Sequence, residues 1–182
     1  MTEPQGLNGQ TFSFITDVAL REDLEDALLF VAYLIDLAQQ VAEERYREEI
    51  HRVIVLCLAA VVEALCLFVL EHKQIPLERE EYKNILPVSL PGVSVAQGEL
   101  ILAVRKRKSS NIADVPFVQS IDLLSKHKII SPSLKRQLTT LRGHRNSQHL
   151  YGRGRNRISR EDVASALRAL ELFQQNVAKK LG

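Results

Sequence analysis

Apolar residues in the first third of the chain recur at spacings of three and four. Between Thr16 or Asp17 and about Glu44, the positions Leu24, Leu28, Val31, Ile35, Ala38 and Ala42 share one face of a 3.6-residue helix. The acids Glu22, Asp23, Glu25 and Asp26 fall in its early turns, where the helix dipole favours negative charge. A second helix is predicted from about Glu48 to His72. No Gly or Pro separates the two, but one helix of over about fifty residues would far exceed the usual 11–12, so a tight turn is placed near Arg45 to Arg47.

Between residues 74 and 116 the pattern changes. Pro76, Pro87, Pro91, Gly92 and Gly98 interrupt helical periodicity, and "NILPVSL" and "ELILAVRKRK" have the short alternating look of two paired strands. Helical spacing returns from Pro116 to His127 with Phe117, Ile121 and Leu124. The next helix starts at Ser131 or Ser133, both good N-caps, and the last runs from Ser159 to Lys180, with Asp162 completing a capping-box-like start. The expected fold is mostly α: an up-and-down bundle of four to five helices with a small β-like insertion near 82–108. With 182 residues and 46% apolar composition the chain fits one domain, 1–182, with 1–15 as a loose leader and 74–115 as the insertion. The leader has no basic segment followed by an apolar one, so it does not read as a secretory signal.

One stretch, Val53 to Leu70, is apolar except for Glu63 and reaches the length at which a membrane span is considered. A central carboxylate is costly in lipid, and no second span shelters it. The reading adopted is a core helix surrounded by others, with no membrane partner. Cys57 and Cys66, nine residues apart in that helix, lie on opposite faces and cannot bridge within it, which suits reduced thiols in a cytoplasmic protein.

Net charge is only +2, but it is unevenly spread. Residues 1 to 100 hold 7 Lys and Arg against 17 Asp and Glu, while residues 101 to 160 hold 14 against 2. A basic block of that kind attracts a polyanion such as RNA, or else docks on the chain's own acidic half. Arg105, Lys106, Arg107 and Lys108, with Arg153, Arg155 and Arg157, are the residues expected to guide RNA.

The candidate chemistry sits in "LRGHRNSQHLYG", residues 141 to 152. On a helix continuing through His149, that residue lies about 20° around the axis from Arg142 and two turns along it, with Asn146 about 40° from Arg142. Arg145 falls in line with Leu134, Leu138 and Leu141, which must face the core, so it needs an acidic partner. Glu63, stranded in the apolar second helix, is the economical choice, as a largely buried pair whose breakage would cost about 3–5 kcal/mol. An Arg and a His on one face suit metal-free phosphodiester cleavage: the imidazole moves the proton of a 2′-hydroxyl or of the leaving oxygen, and the guanidinium steadies the phosphorane. A metal site is disfavoured, because His144 and His149 are five apart among arginines with no flanking Cys or carboxylate. No cofactor is implied. A solvated helix end, whose basic residues merely complement the dipole, is the plainer alternative.

With Arg142, Arg145, Asn146 and His149 in place, the segment resembles the HEPN (higher eukaryote and prokaryote nucleotide-binding) family, whose helical domains carry an Arg, commonly followed by Asn, a few residues before a His. "HRVIVLCLAAVVEALCLFVL" looks like that family's long second helix with its acidic residue, and "SIDLLSKHKIISPSLKRQLTTLRGHRN" like its helix–turn–helix lead-in. The likeness covers about residues 17 to 73 and 116 to 180. It implies a toxin-like, metal-independent ribonuclease acting as a homodimer, with Arg142 or Arg145 on phosphate, Asn146 orienting and His149 as general acid or base. It also implies a nucleotidyltransferase-type antitoxin as partner, with Tyr151, two residues after the His, as the adenylylation target. A non-catalytic HEPN-like module that binds nucleotide, nucleic acid or a partner protein is the second expectation.

Overall fold

The computed structural model describes residues 12–87, 101–109, 111–147 and 157–181, with the backbone alone for the two strands. Five helices, α1 (Val18–Gln40), α2 (Glu44–His72), α3 (Phe117–Lys126), α4 (Pro132–Ser147) and α5 (Arg160–Leu181), form a bundle, and β1 (Glu78–Pro87) and β2 (Ile101–Ser109) are inserted between α2 and α3. The fold is the mostly helical bundle expected from the periodicity.

Helix α2 organises it, because α1, α3, α4 and α5 all pack against it. Its residues Ile54, Val55, Leu58, Val62, Leu65 and Val69 are fully enclosed. Its length and composition would suffice to cross a membrane, yet most of its apolar stretch is buried inside the bundle. The enclosure is incomplete, contrary to the expectation of a helix covered on every side: Val53 is 39% and Leu56 37% exposed, and Leu29, Phe30 and Tyr33 of α1 also face outward. Contacts at both ends show that α5 runs in the same direction as α2, since Arg157 Nη1 lies 3.3 Å from Glu48 Oε1 and Lys73 Nζ donates to the Lys180 carbonyl at 2.7 Å.

The turn between α1 and α2 lies at Val41–Glu43, earlier than the Arg45–Arg47 expected. Arg47 supplies the reason. Its Nε and Nη2 donate to the Val41 carbonyl at 3.3 and 2.8 Å, and Nη2 reaches the Ala42 carbonyl at 3.2 Å. A basic side chain in the first turn of α2 thus satisfies carbonyls freed where α1 ends, with no Gly or Pro needed. Phe12 and Ile15, expected to lie in a loose leader, are buried in the core. Asp17, one of the two expected starts of α1, caps it by accepting from Leu20 N–H at 3.1 Å, and Ser131, one of the two expected caps of α4, accepts from Leu134 N–H at 3.2 Å. At the start of α5, Ser159 and Asp162 each accept the other's backbone N–H, at 3.2 and 2.9 Å, closing a reciprocal box.

Helices α2 and α3 end without glycine. Gln74 and Lys128 take positive φ, 50° and 57°, and the next residues, Ile75 and Ile129, donate back to Leu70 and Leu124, both at 2.9 Å. These are Schellman motifs in which a buried isoleucine locks the turn at the expense of left-handed backbone in a non-glycine residue.

The insertion is an antiparallel pair, but its first strand begins at Glu78, upstream of "NILPVSL". Register places Glu80 opposite Arg107, Glu81 opposite Lys106 and Tyr82 opposite Arg105, with an irregularity between Lys83 and Leu86. An acidic run paired with a basic run is the charge pattern that favours an antiparallel ladder.

Candidate functional site

The last turns of α4 carry the polar cluster. Leu134, Leu138 and Leu141 bury one face of α4 against the bundle, and Arg145, next along that stripe, meets Glu63 of α2. The Arg145 Nη2–Glu63 Oε2 distance is 3.1 Å. The pairing expected from sequence is formed, but its burial is not: 41% of the Arg145 side chain and 25% of that of Glu63 are exposed. Close to the end of α4 the helix interface opens to solvent, so the guanidinium spans from apolar stripe to water.

One residue before Arg145, His144 Nε2 lies 3.6 Å from Asp162 Oδ1. The other oxygen of that carboxylate closes the cap of α5, so the end of α4 is tied to the start of α5 through one acid. Ser147 donates to the His144 carbonyl at 2.8 Å, satisfying one of the acceptors that a helix terminus leaves open. Arg157, just ahead of α5, pairs with Glu48 while its own side chain is 81% exposed. Two ion pairs, Arg145–Glu63 and Arg157–Glu48, and the His144–Asp162 contact therefore bracket the ends of segment 148–156.

Arg142 is half-buried, Asn146 is exposed, and neither has an ion-pair or hydrogen-bond partner among the described residues. They are four residues apart and so share a helix face. His149, Tyr151, Arg153 and Arg155 lie outside the described residues. Of Arg105, Lys106, Arg107 and Lys108 the backbone places all four in β2, where acids of β1 stand opposite Lys106 and Arg107. The two strands together still hold six Lys and Arg against three Asp and Glu, so part of the basic excess persists.

The carboxyl of Glu161, in the first turn of α5, is held below the usual range by its own backbone N–H and by Ser159. Burial raises the thiols of Cys57 and Cys66, the latter well above the usual range despite a hydrogen bond with Ser120, so neither ionises readily. They do not enter the site.

A second feature has only a faint mark in the sequence. The C-terminal part of α1, the N-terminal part of α2 and the start of α5 enclose a cleft of about 880 Å³. His51 and Arg47 line it together with Glu48 and Arg160, on an aliphatic floor that includes Ile35 and Leu167. His51 is only 9% exposed. The mark is that Arg47 and His51, four apart, open an otherwise apolar helix on the same face. No family model matches the chain, and neither a curated protein nor a solved structure matches it.

Proposed function

We propose that the chain is a metal-independent RNA endonuclease whose site is the end of α4 and the segment following it. The observation that carries this is the Arg145–Glu63 pair at 3.1 Å, which holds the last turn of α4 while leaving Arg142 and Asn146, on one face, without a protein partner among the described residues. In this reading Arg142 binds the scissile phosphate and Asn146 orients the reacting groups. His149 takes the proton of the 2′-hydroxyl as its oxygen attacks phosphorus, giving a cyclic phosphate and a free 5′-hydroxyl once the leaving oxygen is protonated. Arg145 and Glu63 act by positioning. Arg153, Arg155 and Arg157, with the net-positive hairpin, steer RNA, so binding weakens steeply with salt.

The wider reading is a toxin-like enzyme of the cytoplasm, working as a homodimer and restrained by a nucleotidyltransferase-type antitoxin that adenylylates Tyr151. Exposed Leu29, Phe30 and Tyr33 on α1 are apolar area of the kind a dimer buries. The second reading is a non-catalytic module that grips RNA or a nucleotide. It is favoured by a specific observation: Arg145, His144 and Arg157 are each engaged by an acid of the chain itself.

The deciding experiment is cleavage of RNA by the purified chain in excess EDTA beside His149→Ala. Cutting by the wild type alone supports the ribonuclease. Salt-sensitive binding by both proteins with cutting by neither supports the module. Absence of binding at low salt refutes both.

A further inference from the structure

The cleft between α1, α2 and α5 holds a buried group with no hydrogen-bond partner among the described residues. His51 is nine-tenths enclosed, yet it makes no hydrogen bond among the described residues, although a buried imidazole ordinarily has one. One turn earlier, Arg47 is fixed in place by the Val41 and Ala42 carbonyls through Nε and Nη2, so its Nη1 edge is left to donate elsewhere. Residues four apart share a helix face, and the two side chains line the same cleft.

Around them the walls are aliphatic: Ile35 and Ala38 from α1, Ile54 from α2, Val163 and Leu167 from α5. Among the described lining residues there is no Phe, Tyr or Trp, and the ring of His51 belongs to a residue nine-tenths enclosed, so little ring surface is offered to a nucleobase. Arg157 and Arg160 stand on the α5 side, against Glu44 and Glu48, and Glu48 is already neutralised by Arg157. Among the described residues the lining is net positive by one charge, counting His51 as neutral. Its volume, about 880 Å³, falls within the range of roughly 300–1,000 Å³ typical of small-molecule sites.

We propose that this cleft binds a small aliphatic carboxylic acid, its carboxylate held by His51 and Arg47 and its chain lying on Ile35, Ala38, Ile54 and Leu167. The carboxylate supplies an acceptor for the imidazole and for the Nη1 edge of Arg47, and an aliphatic chain matches the aliphatic walls. The cleft shares Arg157 at its edge with the site proposed above, but the groups that hold the carboxylate, His51 and Arg47, are not part of that site, so the proposal stands whether or not the chain cleaves RNA.

The test is calorimetric titration of the full chain with octanoate and, in parallel, with 1-octanol. Octanoate binds at one site, at least tenfold more tightly than the alcohol. His51→Phe, which keeps the bulk of the ring, weakens octanoate at least tenfold. Ala164→Trp places an indole in the cleft from an exposed helical position and abolishes binding without touching the core. Should His51→Phe fail to fold, the Ala164→Trp titration decides. The proposal is overturned if folded wild type shows no saturable octanoate binding, if the alcohol binds equally well, or if Ala164→Trp binds octanoate unchanged.

Discussion

Breaking the Arg145–Glu63 pair tests how this end of the bundle is held. At 3.1 Å the Coulomb attraction is about 5 kcal/mol at an effective dielectric of 20 but only about 1.3 kcal/mol in water. Which figure governs depends on solvent access, and the exposures of 41% and 25% put both groups in contact with water while leaving part of each stem packed. Desolvation and side-chain ordering offset much of the attraction. The coupling expected from a double-mutant cycle of Glu63→Gln, Arg145→Met and the double variant is therefore about 1 kcal/mol, below the roughly 3–5 kcal/mol loss typical of breaking a fully buried pair. Urea unfolding followed by circular dichroism gives the four free energies, and repeating the cycle in about 1 M NaCl shrinks the coupling, because exposed charges are screened. A coupling above about 3 kcal/mol that ignores salt would refute the exposure argument. Zero coupling at low salt would refute the pair itself.

Other expectations are simpler. Gly143 lies inside α4, and a Cβ built there meets nothing within 4 Å, so Gly143→Ala raises stability by about 1 kcal/mol, a melting shift of roughly 2–4 °C. A lower melting temperature by calorimetry would mean that something packs on that glycine. Lys128 holds a φ of 57°, where glycine is unstrained, so Lys128→Gly stabilises by up to about 1 kcal/mol; loss of stability in urea would contradict the Schellman assignment. For the thiols, iodoacetamide at about pH 8 followed by intact mass finds Cys66 unmodified in the native chain and Cys57 slow, both becoming reactive in denaturant. Fast native labelling of Cys66 would contradict its enclosure. Glu161 has a lowered folded pKa, so its contribution is present above the unfolded carboxyl range and disappears as pH falls through the folded value. Glu161→Gln should therefore flatten the acid limb of the stability profile, and an unchanged limb would refute this.

Much of the site's framework is legible in the sequence alone. Arg145 calls for an acid because it continues the Leu134, Leu138, Leu141 stripe, and Glu63 answers because it is the lone charge in a long apolar run; each is a local anomaly that demands a partner. Ser159 with Asp162 and Ser131 before Leu134 are readable for a similar reason, since a cap acts within one turn. The turn between α1 and α2 departs from its expected place because its stop signal is a side chain acting at a distance: Arg47 reaches back to Val41, where no Gly or Pro marks the end.

The amino-acid sequence by itself determined the helices, their apolar faces, the inserted strand pair and the charge asymmetry, all of which follow from periodicity and short-range chemistry. Tertiary structure decided the rest. It set how deeply the Arg145–Glu63 pair is buried, which acids engage His144 and Arg157, and that α1 and α5 flank a cleft lined by His51 of α2. Burial and pairing across elements depend on how helices lie against one another, and residues 109 positions apart, such as Glu48 and Arg157, carry no local mark of their meeting.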